Sequence, residues 1–368
     1  MEEQLIQKTI ALTLIDGIGT QNTKKLIDYF ENADNVLRQS ARSLASLSGI
    51  GQSKAESIVS QFNDVLKKAE VELKYIYDNR INLHFYKDSN FPKKLLECSD
   101  CPVLLYSKGH FDFENGKYIS IVGTRNATEY GKKLCQDFVR DVSIRQADTT
   151  IISGLAYGID ICAHLSAIEN DLPTIAIMAG GFAHIYPGAH KHVAELMVEK
   201  GGIITEGISS TFPERQNFLK RNRIIAGLAD AVVVVESAAK GGALVTADIA
   251  HSYNRDIFTF PGRVNDTWSK GCNQLIKQQK AALIESFSDL EYLMSWDKNK
   301  IKYIQTSLFN DLTEKEQAVY SIIKKEKKLH KDLLNQFFEN ETSLQSILLS
   351  LECKDIIKCL PGNFFIPL

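Results

Sequence analysis

The sequence predicts an α/β protein in which a doubly wound parallel sheet lies between two smaller domains. Three observations carry this prediction: a repeated Gly-Ile-Gly turn near the N-terminus, six apolar runs that alternate with helical patterns, and three C-terminal helical patterns followed by a hairpin. We expect a helical domain over residues 1–69, the sheet domain over 70–295, a polar linker over 296–310 and a last domain over 311–368. A chain of 368 residues is long enough for two or three domains.

The N-terminal domain is predicted from its repeat. Each Gly-Ile-Gly unit leads into a segment with apolar residues at helical spacing, and the arrangement resembles tandem helix-hairpin-helix units. Glycine permits the tight turn, and the helix start that follows leaves backbone N–H groups that can hold a DNA phosphate. We therefore predict a secondary DNA contact at Gly17, Gly19, Gly49, Gly51 and Lys54. The alternative is that these glycines only make turns in a helical bundle.

The central domain is predicted from alternating patterns. Strands are expected over 118–122, 150–154, 174–178, 202–206, 231–236 and 256–260, and helices over 130–147, 158–169, 190–200, 217–228 and 242–253. Val- and Ile-rich runs joined by helical crossovers indicate parallel strands buried on both faces. Six such strands predict a Rossmann-like order with a ligand crevice beside the first strand. Two earlier segments with β character, over 75–86 and in PVLLYSKG, are expected at the edge of this domain.

The segments around the ends of these strands carry residue types that bind phosphates and bases. Glycine lets a ligand approach the backbone, arginine binds phosphate through two N–H groups, and aromatic rings stack on bases. The candidate residues are Gly123, Thr124 and Arg125 after the first strand; Arg215, Phe218, Arg221, Asn222 and Arg223 before the fifth; and Lys240, Gly241 and Gly242 after it. The sequence therefore predicts a nucleic-acid site at this edge of the sheet.

Other chemistries lack their motifs. Neither GxGxxG nor GxxxxGK[ST] occurs, so the dinucleotide fingerprint and the usual P-loop are excluded. Cys98 and Cys101 form one CxxC without a second pair, and no convergent carboxylates accompany the histidines near residue 190, so we expect no metal and no cofactor. Asp160 and His164 have the spacing of an acid–base pair, but a helix-terminal aspartate with a buried histidine is the favoured interpretation. The crevice is equipped to bind rather than to react.

Composition limits how the protein can bind DNA and in which compartment it is expected. Lys and Arg total 43 against 45 for Asp and Glu, a net charge of −2, so affinity for DNA must come from a local patch. The seven scattered cysteines favour reduced thiols in a cytosol. The acidic N-terminus lacks a basic n-region, and no apolar run approaches the ~20 residues that span a bilayer. We expect a cytoplasmic protein without a membrane segment.

The last domain is predicted to be winged-helix-like. Helical patterns over 313–325, 330–338 and 342–351 precede IIKCLPGNFFIPL, which forms a hairpin with Pro361-Gly362 at its tip. The segment in the place of a recognition helix, TSLQSILLSLE, has no Lys or Arg. Reading of the DNA major groove is therefore disfavoured, and we expect a role in protein interaction.

Several strings together resemble one family. IVGTRNATEYG, ISGLAYGIDICAH and FPERQNFLKRNRIIAGLADAVVVVESAAKGGALVTADIA closely resemble the DNA-processing protein A family (DprA, also called Smf), and the resemblance covers residues 106–290. It implies a non-enzymatic protein that binds and protects single-stranded DNA and helps to load RecA recombinase on it during natural transformation. It also implies a homodimer formed through the Rossmann-like domain.

Residue roles follow by motif position. The resemblance implies that Arg125 holds a phosphate and that Phe218 stacks on a base. Arg221 and Arg223 point to different sides of a helix, and we expect Arg221 to face the DNA. Arg223 is then expected to pair with a carboxylate such as Glu206 or Glu236.

Two other functions stay open. Phosphoribohydrolases that cleave nucleoside monophosphates belong to the same broad superfamily and use PGGxGTxxE, whereas this chain has KGGALVTADIA, without that glutamate spacing. The third possibility is an architectural protein for double-stranded DNA, and it depends on the Gly-Ile-Gly repeat alone.

Overall fold

The computed structural model describes residues 3–110, 112–296, 312–326, 329–332, 341–354 and 356–367. The chain divides into two compact units, Met1–Ser295 and Trp296–Leu368. The first unit therefore contains both the predicted helical domain and the predicted sheet domain.

The first unit begins with five helices: α1 (Glu3–Thr13), α2 (Thr20–Tyr29), α3 (Ala33–Leu37), α4 (Ala41–Ala45) and α5 (Gln52–Asp78). The turns before α2 and α5 are the two Gly-Ile-Gly units. Gly17 and Gly49 have φ values of 81° and 89°, a conformation that residues with a Cβ rarely adopt. The isoleucine of each unit is buried. The domain boundary that we expected after residue 69 is wrong, because it falls inside α5.

Within the described residues, the sheet of the first unit has nine strands: β1 (Asn82–Phe85), β2 (Leu104–Gly109), β3 (Lys117–Val122), β4 (Thr149–Ser153), β5 (Thr174–Ile177), β6 (Gly202–Thr205), β7 (Ala231–Val234), β8 (Asp256–Thr259) and β9 (Ala282–Leu283). Their order is β1-β2-β6-β5-β4-β3-β7-β8-β9. The seven strands β3–β9 are parallel to one another. At the other edge, β2 pairs antiparallel with β6, and β1 pairs antiparallel with β2. The order reverses at β3, so the switch point lies between β3 and β7.

Helices cover both faces of this sheet. They are α6 (Lys93–Leu96), α7 (Glu129–Arg145), α8 (Ile159–Glu169), α9 (Lys191–Lys200), α10 (Arg215–Leu228), α11 (Gly242–Ser252), α12 (Lys270–Lys277) and α13 (Phe287–Leu293). Along β5, Ile175 and Ile177 join the same core as Ile10 of α1, whereas Ala176 packs in a second core with Met197 of α9. This alternation confirms the predicted doubly wound sheet and shows that α1–α5 share a core with it. No helix in the described part of the chain is long and apolar enough to cross a bilayer.

The second unit contains α14 (Glu314–Glu326), β10 (Leu329–His330), α15 (Glu341–Cys353), β11 (Ile357–Leu360) and β12 (Phe364–Pro367). The three strands pair antiparallel in the order β10-β12-β11, with Gly362 at positive φ in the tip of the predicted hairpin. Most of the helix predicted over 330–338 lies outside the described residues. The winged-helix class of this unit stays a prediction.

Candidate functional site

Hydrogen bonds connect the turn after β3 to the turn after β7 at the switch point. The Thr124 backbone N–H donates to the Glu236 carbonyl (2.8 Å). The Glu236 carboxylate is buried and accepts hydrogen bonds from the Thr128 backbone N–H (2.9 Å) and hydroxyl (2.5 Å). A Cβ on Gly123 would lie 2.5 Å from Cγ1 of Ile159, so the turn after β3 can lie against α8 only with glycine there. Glu236 therefore supports the backbone of the turns.

An open pocket of about 760 Å³ lies at this point and brings together all but one of the eleven residues predicted for the nucleic-acid site at this edge of the sheet. Its wall contains Gly123, Thr124, Arg125, Arg215, Phe218, Arg221, Asn222, Lys240, Gly241 and Gly242. The exception is Arg223, which lines a different pocket together with Glu206. Residues from three separate stretches of the chain thus meet in one cavity.

Four side chains of the pocket wall that reach solvent are here called the crevice rim: Arg125, Arg215, Phe218 and Lys240. The three cations are exposed, and none of them forms an ion pair with a carboxylate in the part of the chain that the structure describes. The Arg125 guanidinium lies 5.2 Å from the centroid of the half-buried Phe218 ring. The first N–H groups of a helix have no partner within it, so the start of α11 beside Lys240 adds donors to this rim.

Arg221 does not lie as predicted. It is only 6% exposed, and its Nη1 donates to the carbonyl oxygens of Gly154 (2.6 Å) and Ile177. A Cβ on Gly154 would lie 2.3 Å from that Nη1, so the glycine makes room for the guanidinium. Burial lowers the pKa of Arg221 to about 10, against an opposing effect of Asp160. The expectation that Arg221 faces the DNA is therefore wrong, because its head group is used inside the fold.

Asp160 and His164 complete this buried group, and we call Arg221, Asp160 and His164 the inner network. Asp160 accepts a hydrogen bond from the Gly154 N–H (3.2 Å), and burial raises the pKa of its carboxyl group. His164 is fully buried, its Nδ1 lies 2.7 Å from Oγ1 of Thr174, and burial lowers its pKa to about 3. The His164 contacts support the interpretation of a buried neutral histidine. Asp160 does not cap α8, whose N-cap residue is Gly158, and its carboxylate binds the turn before the helix instead.

Arg223 forms the predicted ion pair with one of the two suggested carboxylates, Glu206. It also donates to the Asp100 carbonyl. The Thr20 hydroxyl, at the start of α2, lies 3.5 Å from Oε1 of Glu206. Arg223 thus connects α10 to the helical segment rather than to the crevice rim.

The predicted secondary contact lies in two turns, and none of its residues lines the pocket of the crevice rim. Gly17 and Gly19 form the first turn, before α2, and are exposed. In the second turn, before α5, Gly49 and Gly51 are exposed, and Lys54 Nζ donates to the Gly49 carbonyl (3.1 Å).

Two aromatic residues near the site were missed from the sequence. Trp268 lines the pocket, and its carbonyl accepts the Ser237 N–H (2.7 Å). The Tyr186 ring meets that of Phe218 edge to face, with centroids 5.7 Å apart. Both lie in irregular loops, where neither spacing nor periodicity predicts contact; their one sequence signal is an aromatic residue soon after a strand.

The fold and the site define a Rossmann-like α/β protein with an open, cation-lined pocket at its switch point and a helix-hairpin-helix segment at its N-terminal end. The chain belongs to the DNA recombination-mediator protein A family, whose family model matches residues 82–295. A model for the SAM-like helix-hairpin-helix tandem matches residues 10–64, which confirms the predicted repeat.

Individual relatives agree with this assignment. The chain is 34% identical to protein Smf of Synechocystis sp. over 73% of this chain and 67% of that protein. It is 34% identical to DNA processing protein DprA of Bacillus subtilis over 65% of this chain and 80% of that protein.

Two solved structures are similar to this chain. DprA of Streptococcus pneumoniae has a TM-score of 0.67 and 29% identity, with 79% of this chain and 97% of that chain covered. DNA processing protein A of Helicobacter pylori has a TM-score of 0.53 and 28% identity, with 59% and 97% covered, and its description concerns its single-stranded DNA binding mode.

Proposed function

We propose that this protein binds single-stranded DNA in the open pocket at the switch point. The observation that carries the proposal is the crevice rim, where three cations, none with a carboxylate partner among the described residues, line the same pocket as the accessible Phe218 ring. The single-stranded DNA binding named for the Helicobacter pylori relative supports it.

The chemistry of a single strand matches this arrangement. Arg125, Arg215 and Lys240 suit backbone phosphates, and the start of α11 adds N–H donors for the same kind of group. Phe218 offers a face on which an unpaired base stacks, and one such base contributes about 1–3 kcal/mol. Bases in a duplex are already stacked and paired, so we expect the pocket to prefer unpaired strands.

We propose that binding is not accompanied by catalysis. Among the residues of the described chain that line the pocket, the one acid is Asp160, and its carboxylate is buried beside Arg221. A phosphoribohydrolase needs a carboxylate that reaches its substrate, and the KGGALVTADIA loop contributes none to the lining. Both observations support binding over hydrolysis.

The wider role is proposed from the family. Its description as a recombination mediator supports a protein that protects single strands and loads RecA recombinase on them during natural transformation, in the cytoplasm. Exposed apolar residues on the edge strand β9 and on α13, which follows it in the chain, support a homodimer; they are Leu283 and Tyr292. The exposed second turn, with Gly49, Gly51 and Lys54, supports a secondary phosphate contact, and Gly17 and Gly19 are proposed as its counterpart in the first turn.

The second unit is proposed to be a winged-helix-like interaction domain.

Binding to a labelled oligothymidylate and to a duplex of equal length, across a range of salt concentrations, tests the proposal. We expect the single strand to bind much more tightly and its affinity to fall steeply with salt. Arg125→Ala and Lys240→Ala should weaken binding of every sequence and reduce the salt slope by about 0.7 per lost phosphate contact.

Lys200→Ala is the matched control, because Lys200, at the end of α9, pairs with Asp171 and does not line the pocket. Equal affinity for duplex and single strand, or full affinity in both crevice-rim variants, would refute the proposal. Release of ribose phosphate from AMP would favour the hydrolase instead.

A further inference from the structure

A second group of aromatic side chains lies beside the crevice rim. His184, Tyr186 and Phe212, here called the aromatic platform, lie on the loops after β5 and β6. His184 stacks on Phe212 with ring centroids 4.1 Å apart and planes 26° from parallel. Tyr186 touches Phe218 of the crevice rim edge to face. The accessible ring of the main pocket therefore touches Tyr186, which lines one depression together with the His184–Phe212 pair.

Backbone contacts hold the two loops of the platform together. The Gly181 N–H donates to the Thr211 carbonyl (2.9 Å), and the Ala183 N–H donates to the Ser209 carbonyl (3.2 Å). A Cβ on Gly181 would lie 1.9 Å from the Ile208 carbonyl oxygen, so the loops approach as closely as glycine permits. The rings are thus positioned before any ligand arrives.

Both loops are also tied to helices. The buried Glu72 carboxylate of α5 accepts the Ser209 backbone N–H (2.9 Å) and hydroxyl (2.5 Å). The Asn217 side-chain amide on α10 donates to the Phe212 carbonyl (2.9 Å). Because α10 also carries Phe218, the platform and the crevice rim share a rigid support.

The rings of the platform are open to solvent. Phe212 is 61% exposed and Tyr186 is 45% exposed. A single exposed aromatic residue is ordinary, but a stacked and anchored row beside a ligand pocket suggests a binding surface. The adjoining depression, of about 390 Å³, is lined by these rings and by the exposed Lys191, and no acidic residue of the described chain lines it.

We propose that the aromatic platform is a second base-binding subsite for the same single strand, which leaves the crevice rim past Tyr186. One or more bases stack on the Phe212–His184 pair, of which Phe212 is exposed and His184 half-buried, and Lys191 neutralises a phosphate of this segment. Every base offers a π-face, so the subsite accepts any sequence. This inference rests on the proposed function, because it extends the path of the strand that the crevice rim binds.

Oligothymidylates of two lengths test this path. A short strand of about four nucleotides fills the crevice rim, and a long one of about 16 nucleotides also reaches the platform, two lengths within the range of single-strand site sizes. Phe212→Leu keeps an apolar side chain without an aromatic face. We expect it to weaken binding of the long strand roughly tenfold and to leave the short strand and the salt slope unchanged. Phe212→Trp should restore the affinity for the long strand.

Tyr77→Leu is the matched control, because Tyr77 is an exposed aromatic residue on α5 outside both pockets. Wild-type affinity of Phe212→Leu for the long strand would overturn the inference, and so would an equal loss for both lengths. If the wild-type protein binds neither length, the proposed function fails first, which is a distinguishable result.

Photocrosslinking locates the contact directly. A 16-nucleotide oligothymidylate, a length near the upper end of known site sizes, carries 5-iodouridine at one position at a time. We expect crosslinks to Phe218 from some positions and to Tyr186 or Phe212 from others. Crosslinks confined to the crevice rim at every position would overturn the second subsite.

Discussion

The crevice rim and the inner network both contain arginine but use it in opposite ways. Arg125 of the crevice rim is exposed and has no carboxylate partner in the described chain, whereas Arg221 of the inner network is 6% exposed and donates to main-chain carbonyls. The two guanidinium groups lie on the same Phe218 ring, at 5.2 and 5.7 Å from its centroid. A cation close to the candidate site is therefore not necessarily a cation available to the ligand.

This difference shows that α10 carries both residues available to a ligand and residues used inside the fold. Its first turns place Arg215 and Phe218 in the solvent-accessible part of the pocket wall, and Arg221 on the next turn is buried. Helical spacing places all three on neighbouring turns of one face. Their roles differ because their side chains are buried to different extents. The Arg221 guanidinium already donates hydrogen bonds to the carbonyls of Gly154 and Ile177. We expect substitutions in the inner network to affect stability and those in the crevice rim to affect binding.

The largest expected effect is from Arg221→Met. Methionine keeps much of the apolar stem but removes the charge that Asp160 faces and the donors that the two carbonyls require. A buried acceptor left without its donor costs about 1–3 kcal/mol, and two carbonyls lose theirs here, so the expected total is about 3–5 kcal/mol. We expect the free energy of unfolding, measured by chemical denaturation, to fall by about that amount.

Arg125→Met is the matched control, because it makes the same chemical change at the crevice rim. Its unfolding free energy should stay within about 0.5 kcal/mol of wild type, while its affinity for single strands falls. Should Arg221→Met be as stable as Arg125→Met, the division between the two groups would be wrong.

His164 offers a second comparison through pH. Its pKa is about 3 in the folded protein against 6.5 for an ordinary histidine, so between these values the unfolded chain binds the extra proton. Stability should therefore decrease as pH falls below 6.5, and His164 alone should remove about 2 kcal/mol by pH 5. In His164→Gln, stability measured by denaturation at pH 5 and 7.5 should depend less on pH by this amount.

His251→Gln is the matched control, since His251 is exposed on α11. His84 is buried too, and burial lowers its pKa, so some pH dependence remains in both variants. An unchanged pH dependence in His164→Gln would show that this histidine is accessible to protons in the folded state.

The sequence was sufficient for the central fold, because six apolar runs with helical crossovers permit few arrangements. It was also sufficient to place ten of the eleven predicted site residues in one pocket, since the carboxyl ends of parallel strands meet at one edge, although it missed Trp268. The sequence was insufficient to predict which of the arginine side chains are buried. Arg221 and Arg223 differ from Arg125 only in which carbonyls or carboxylates come near them, and those partners are distant in sequence. The pairing of Tyr186 with Phe218 depends on loop geometry in the same way.

The smallest expected effect is from Arg223→Met, which sharpens the comparison on the far side of α10. The Arg223 and Glu206 side chains are 12% and 29% exposed, so solvent screens their ion pair in part. We expect a loss of about 1 kcal/mol in the free energy of unfolding, near the upper end for such pairs. Affinity for single strands should stay at the wild-type value, in contrast to Arg125→Met. A loss of affinity comparable to that of Arg125→Met, at undiminished stability, would instead place Arg223 and its pocket on the path of the strand.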